Sequence, residues 1–113
     1  MSVDAGLVEW IAEAMAPIGH VTMRRMFGGA ALYCDGTIFA LLAMDDLWFK
    51  SDAESKPLWD AMGVDHFTYP KKGGMVGITS YRRAPSDAHD DQDAMRHYGE
   101  LGLAASLRKA RRG

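Results

Sequence analysis

The sequence predicts a single α+β domain over residues 1–113, with an antiparallel sheet and the order helix, three strands, helix, two strands, helix. Three observations support this prediction. Apolar residues recur at helical spacing near both ends, an Asp35-Gly36 pair separates two apolar runs, and short strand-like segments follow each of the first two helices. A chain of 113 residues is the size of one domain and buries about 65% of its unfolded surface.

The composition argues against several classes of protein. Apolar residues make up 48% of the chain, charged residues 25%, and the net charge is -2, so disorder and attachment to nucleic acid by overall charge are both disfavoured. The longest apolar run spans only residues 38–44, far below the roughly 20 residues of a membrane helix. The first residues lack the features of a secretory signal, and the single cysteine, Cys34, builds no disulfide framework. We therefore expect a cytoplasmic protein without a membrane span.

The first predicted helix begins after Asp4, a residue suited to cap it, and ends before Pro17 and Gly19. Its inner face is given by apolar residues at spacings of one, three or four: Leu7, Val8, Ile11, Met15 and Ile18. Residues 20–26 follow with only weak alternation, since both faces carry an arginine or a methionine. This segment is predicted as either a strand or an extended linker.

The strongest local signal is the hairpin around Asp35-Gly36, because a type I′ turn requires positive φ at both central positions. The strand after the turn, residues 37–43, is apolar on both faces, which indicates a central strand covered on both sides. Asp45-Asp46 is interpreted as the next turn, leading into a third strand at residues 47–50.

The second helix is predicted to contain Trp59 and to end at Gly63. Its start stays open between Ser51 or Asp52 and a position nearer Ser55, because Pro57 would otherwise remove a backbone hydrogen bond. Residues 67–69 and 76–81 are predicted as strands joined by a loop over 70–74. A final helix, capped at Ser86 or Asp87, has an inner side formed by Ala94, Met95, Tyr98, Leu101 and Ala105.

The sequence resembles the TfoX N-terminal domain family, found in the TfoX/Sxy competence regulators of bacteria. The residues that support the resemblance occur in order through nearly the whole chain: Arg24-Arg25-Met26-Phe27-Gly28-Gly29, Leu32-Tyr33 to Asp35-Gly36, Phe67-Thr68-Tyr69, and Tyr81-Arg82 to Pro85. The resemblance implies an α+β fold like that of small secretion-chaperone domains.

The resemblance also implies a function. In the two-domain regulators, this domain precedes a helical domain, and the pair promotes transcription of DNA-uptake genes with the cyclic-AMP receptor protein. The present sequence ends at Gly113 without that second domain, so the resemblance indicates a stand-alone member. Competence regulation is therefore one expectation and not the only role open to it.

Arg24, Arg25 and Phe27 are the first candidate partner-binding residues, because arginines beside an aromatic residue are typical of interfaces and of phosphate contacts. A structural interpretation stays open beside this one. In that interpretation, an arginine pairs with an acid such as Asp35 or Asp87 and fixes the hairpin to the sheet.

Tyr81, Arg82 and Arg83 form a second candidate cluster. If the last strand neighbours the first hairpin, this cluster and Arg24-Arg25 would make one basic patch. Such a patch would bind DNA with a salt dependence of about -0.9 in log-log slope per phosphate.

The remaining candidate residues receive structural interpretations. Gly28, Gly29, Asp35 and Gly36 are predicted to serve backbone geometry, since no strand-loop-helix context makes the glycine pair a phosphate cradle. Cys34 is predicted to be a small buried apolar residue. The basic residues near the C-terminus are assigned to the helix dipole, and the scattered histidines show no metal-ligand spacing. No metal or cofactor is expected.

The sequence thus favours a non-enzymatic regulatory domain that acts by binding protein. The cyclic-AMP receptor protein and RNA polymerase are the partners implied by the resemblance, and a homodimer is a further candidate. Two alternatives stay open: a DNA-binding accessory factor that uses the arginine clusters, and a small enzyme whose reaction the sequence does not specify.

Overall fold

A computed structural model describes residues 4–26 and 28–112, with side chains except at 69–71, 75–79 and 112. It is an α+β domain in which three α-helices accompany a six-stranded antiparallel sheet. The fold class agrees with the prediction. The elements in chain order are α1 (Ala5–Met15), β1 (Val21–Met26), β2 (Gly29–Cys34), β3 (Thr37–Ala43), β4 (Asp46–Lys50), α2 (Lys56–Met62), β5 (His66–Lys71), β6 (Gly74–Arg83), a short 3-10 helix (Ser86–His89) and α3 (Gln92–Arg112).

Four strands, not three, precede α2, because residues 21–26 form β1 instead of a linker. The spatial order of the sheet is β1-β2-β3-β4-β6-β5, so β1 lies at one edge. Most of β1 is exposed on both faces. Of the described residues of β1, only Val21 packs against the core, so the rest of the strand has no reason to alternate apolar and polar residues, and its sequence pattern is ambiguous.

The central hairpin has the predicted turn. Asp35 and Gly36 have φ values of 48° and 83°, and Cys34 pairs with Thr37 across the turn. The second turn is displaced by one residue from its expected position. Met44 and Asp45 take positive φ, while Asp46 is already the first residue of β4 and pairs with Ala43.

The helix boundaries follow local capping chemistry. The Asp4 carboxylate accepts a hydrogen bond of 3.0 Å from the Leu7 amide and caps α1 as predicted. Helix α2 starts after Ser55, the later of the two predicted starts, so that Pro57 falls in its first turn, and Gly63 ends it with φ 70°. Helix α3 begins later than expected, because residues 86–89 form a 3-10 turn and Asp91 accepts from the first α3 amides.

One sheet face holds the core under the helices. Ala40 pairs with Leu32 on one side and with Phe49 on the other, and these three buried side chains lie beneath α3. Helix α3 comes close to β3, since a Cβ at Gly102 would collide with the Phe39 carbonyl oxygen. Helix α1 packs on α3, where Gly99 makes room for Met15. Both α3 glycines are therefore close-approach positions.

Candidate functional site

The register of the sheet defines which candidate side chains share a face. Arg24 pairs with Ala31, Ala31 with Leu41, Leu41 with Trp48, and Trp48 with Arg83. Paired residues of adjacent strands point to the same side, so these five residues form one row on the face opposite the helices. We call them the cross-sheet row.

The two arginine clusters lie at opposite ends of this row. Strands β2, β3 and β4 separate β1 from β6, which places Arg24 and Arg83 roughly 19 Å apart at the usual strand spacing. The condition for a single combined patch, that the last strand should neighbour the first hairpin, is therefore not met. The reason is topological, because β6 inserts between β4 and β5 and does not reach β2.

Arg82 has a structural role, in contrast to the expectation that it would face a partner. Its side chain is only 4% exposed, donates to the Val64 carbonyl oxygen at 2.6 Å and pairs with Asp60 at 2.9 Å. The residue lies on the helix face, in register with Phe49. Arg82 therefore ties β6 to the end of α2 and to the segment that follows it.

Arg83 points to the other face, as alternation requires, and its guanidinium lies 5.0 Å from the centre of the Trp48 ring. It also approaches the Asp46 carboxylate at 3.4 Å. The edge of the Trp48 ring meets Phe67, with 4.9 Å between ring centroids. Arg83 thus covers an aromatic pair and neutralises an acid, although 47% of its side chain stays exposed.

Tyr81 lies on the same face as Arg83 and pairs with Lys50. The Lys50 ammonium sits 4.9 Å from the centre of the Tyr81 ring. Burial raises the pKa of the Tyr81 hydroxyl, with a smaller contribution from nearby Tyr33, and burial also lowers the pKa of Lys50. Lys50 is a neighbour that the sequence interpretation missed, since only the strand register brings it to Tyr81.

Arg24 and Arg25 differ from the other candidate arginines. Both are exposed on β1, and within residues 4–26 and 28–112 neither makes an ion pair or a side-chain hydrogen bond. The acids suggested as their structural partners do not pair with them within the described chain. Asp35 accepts from the His20 amide at 2.9 Å, and Asp87 accepts from the Tyr98 hydroxyl at 2.8 Å. Phe27, the third candidate of this cluster, lies outside the described residues.

The glycine pair beside these arginines has a geometric role. Gly28 has φ 78°, and a Cβ on Gly29 would collide with the Leu42 carbonyl oxygen. Gly29 begins β2, whose neighbouring residue Ala30 pairs with Leu42. The close approach of the backbones therefore requires glycine at this position.

A cavity of about 370 Å³ opens beside the same glycines. Its lining combines the two glycines and apolar residues with acids and one histidine: Asp4, Leu7, Gly28, Gly29, Leu42, Ala43, Asp45, Asp46, Leu47 and His89. Asp4 is occupied as the α1 cap, and Asp46 binds both the Leu47 amide and Arg83. The described part of the chain contains no group of three or more potential ligands that could hold a metal ion.

The basic end of α3 is tied to the fold by more than the helix dipole. Arg108 donates two hydrogen bonds to the Asp52 carboxylate, at 2.6 and 2.8 Å, and contacts Glu54 at 2.9 Å. The Arg108 hydrogen bonds hold the pKa of Asp52 well below its usual range. Lys109 and Arg111 beyond it are exposed.

Comparison with protein families identifies the chain. The model of the TfoX N-terminal domain matches residues 13–106, which is most of the chain and includes both arginine clusters. Comparison with curated proteins gives no sequence match. No helix in the described ranges is both long and apolar enough to cross a membrane. The matched family consists of regulatory domains related to competence and is not a known enzyme family. The α+β architecture and the family match agree, and the chain belongs to the TfoX N-terminal domain family.

Proposed function

We propose that this domain regulates by binding a protein partner, and that Arg24 and Arg25 are its principal contacts. One observation carries the proposal: within the described residues these two cations make no ion pair and are exposed on an edge strand, whereas Arg82, Arg83, Arg96 and Arg108 all make ion pairs. The two guanidinium groups lie on opposite faces of β1, since neighbouring strand residues point to opposite sides, and neither has an acid beside it within the described residues. An acidic partner surface would supply the missing carboxylates.

The surroundings of the arginines suit a protein surface. Met23 and Met26 flank them and are 37% and 36% exposed. Flexible thioethers and arginines are both enriched at protein interfaces. Met23 and Arg25 share one face of β1, and Arg24 and Met26 share the other. Each face of β1 therefore combines one cation with one exposed methionine, which fits a protein partner that offers both a carboxylate and an apolar side chain.

The cyclic-AMP receptor protein and RNA polymerase are the first partners to test, because the family relates to competence regulation. The experiment measures binding of each purified candidate to the immobilised chain at about 50 and 200 mM salt. We expect the Arg24→Ala, Arg25→Ala variant to bind at least tenfold more weakly, since each lost charge-assisted contact is worth about 1.5–3 kcal/mol.

The matched control is the Lys109→Ala, Arg111→Ala variant, which removes the same charge from the exposed end of α3. It should bind like the parent chain. Equal weakening of both double variants would show that only net charge matters and would contradict the assignment to β1. Failure of both candidates to bind the parent chain would overturn the proposed partners.

DNA binding is the other outcome that this experiment separates. The distance between the two ends of the cross-sheet row and the burial of Arg82 leave two free arginines on β1, not a continuous basic face. Binding of arbitrary duplex DNA, with a log-log salt slope of about -0.9 per phosphate contacted, would reassign Arg24 and Arg25 to nucleic acid.

A further inference from the structure

The outer edge of β1 is unpaired among the described strands. The sheet order ends at β1, and its pairing with β2 runs without a shift from Val21 opposite Cys34 to Met26 opposite Gly29. An exposed edge presents a row of backbone donors and acceptors that can bind another strand.

The hydrogen bonds to β2 show which backbone groups point outwards. The His20 carbonyl accepts from the Asp35 amide at 2.9 Å, so it points towards β2. In an antiparallel pair, successive residues alternate between pointing to the partner and pointing away. Even-numbered residues of β1 therefore bond to β2, and the N–H and C=O groups of Val21, Met23 and Arg25 point outwards.

We propose that β1 is a homodimerisation edge, at which β1 of a second copy adds antiparallel with Met23 of both chains on the two-fold axis. This register places Val21 opposite Arg25 of the second copy, and Thr22 opposite its Arg24. The outward groups of all three odd-numbered residues then find partners, for about six backbone hydrogen bonds. The two sheets become one continuous sheet with the helices on the same side.

Charge selects this register over its neighbours. A shift by one residue pair in one direction places Arg24 opposite Arg24 of the second copy, and like charges directly opposite each other are destabilising. A shift in the other direction carries Arg25 past the end of the opposing strand, to Gly19. The two arginines therefore prevent arbitrary strands from adding while they permit a second copy in this register.

The helix face next to β1 complements the residues that the second copy would bring. A shallow groove there is lined by Ala12, Ala16, Gly19, His20 and Val21. In the proposed register, Arg25 of the second copy lies beside Val21, at the end of this groove. The Asp35 carboxylate is held nearby by the His20 amide and is exposed, so it offers the opposite charge.

The occupant is a second copy for two reasons: the strand is self-complementary in this register, and Met23, 37% exposed in the single chain, is covered by Met23 of the second copy. Two strands of this length with their flanking side chains bury on the order of 1,000 Å², the lower limit for a specific interface. The dimer should therefore form and dissociate with protein concentration.

The dimer would double the arginine surface. Side chains project perpendicular to the sheet, so edge pairing leaves Arg24 of both copies exposed on one face, about 7–8 Å apart along the diagonal. The proposed dimer follows from the geometry and charges of the β1 edge and does not depend on the proposed function. The interpretation of the two Arg24 side chains as a paired site for an acidic partner does rest on the proposed function.

The first test is the molar mass of the whole chain by sedimentation equilibrium, from about 10 µM to 1 mM. We expect the mass to rise from 12.4 kDa towards twice that value. The Met23→Pro variant should stay monomeric, because proline removes an outward N–H and is tolerated at an edge strand. A parent chain that remains monomeric at 1 mM would overturn the proposal, as would an equally strong dimer of a folded Met23→Pro variant.

Cysteine cross-linking tests the register and does not depend on the proline variant folding. Met23→Cys should form an intermolecular disulfide, since the paired Cα atoms would lie about 5.5 Å apart. Met44→Cys, at a methionine in the β3–β4 turn that is more exposed than Met23, is the control and should not cross-link. Preferential cross-linking of Arg24→Cys would overturn the register, and equal cross-linking of Met23→Cys and Met44→Cys would overturn the interface. A dimer that forms without any binding of the candidate regulators would contradict only the proposed function.

Discussion

Adjacent arginines in this domain make different contacts because neighbouring strand residues point to opposite faces of the sheet. Arg82 is buried against Asp60 and Val64, whereas Arg83 lies over Trp48 on the other side of the sheet. On β1, where neither face is covered, Arg24 and Arg25 are both exposed. Among the candidate arginines, Arg24 and Arg25 are therefore the two that are exposed without an ion pair in the described part of the chain.

Arg108 should contribute more to the unfolding free energy than the exposed charged residues beside it on α3. Its partner Asp52 is 14% exposed and would lose two hydrogen bonds in Arg108→Ala. We expect that variant to lose about 1–3 kcal/mol of unfolding free energy at pH 7. Lys109→Ala, at an exposed neighbour, should change the unfolding free energy by less than about 0.5 kcal/mol.

The ion pair between Arg108 and Asp52 also makes the unfolding free energy depend on pH, and it should fall on acidification. The folded-state pKa of Asp52 is lowered, so its contribution is fully present above the unfolded aspartate pKa of about 3.9 and is lost progressively as the pH falls from there through the folded-state pKa. Urea unfolding of parent and Arg108→Ala chains at pH 7 and pH 3 should show a smaller difference at pH 3. A difference that stays constant or grows on acidification would contradict the assigned pair.

At the scale of elements, the contact between α3 and the sheet depends on a glycine that helix propensity alone would disfavour. Gly102→Ala should destabilise the protein by about 1–3 kcal/mol, because the added methyl would meet the Phe39 carbonyl oxygen. Gly6→Ala in α1 is the control, since its Cβ has room and alanine favours the helix by up to about 1 kcal/mol. Thermal unfolding of both variants checks the pair, and stabilisation by Gly102→Ala would contradict the close packing.

The features of the fold that could be predicted from the sequence are those that are determined by residues close together in the chain. Asp35-Gly36 specifies its turn, Asp4 caps α1, and Gly63 ends α2, because each depends on nearby residues. Strand β1 was ambiguous because an edge strand without a buried face leaves no periodic pattern. The displaced turn at Met44-Asp45 was missed because methionine rarely adopts positive φ and gives no signal for it.

At the scale of the whole molecule, the sheet order determines whether the two arginine clusters lie together, which the sequence does not. Nothing local indicates that β6 inserts between β4 and β5, yet that insertion separates Arg24 from Arg83 and abolishes the combined patch. The partners of Arg82 and Arg108, Asp60 and Asp52, are also distant from them in the sequence. Alternation within residues 81–83 could have assigned Arg82 and Arg83 to opposite faces, although it could not have named Asp60 or Trp48 as their partners.

The same sheet order leaves β1 at an edge, where it makes few contacts with the core. It lies at the end of the sheet, and its arginines make no ion pair within the described residues. These two observations are the basis of the proposal that β1 binds a partner. The central claim is therefore that Arg24 and Arg25 contribute to binding and not to folding.

Equilibrium urea unfolding of the Arg24→Ala, Arg25→Ala variant tests this claim most directly, with Arg82→Ala as the comparison. We expect the double variant to remain within about 0.5 kcal/mol of the parent chain, as for surface residues without partners. Arg82→Ala should lose about 1–3 kcal/mol, because it removes a buried side chain and its hydrogen bond to Val64. A loss in the double variant as large as that of Arg82→Ala would show that the β1 arginines hold the fold together, and would contradict the account.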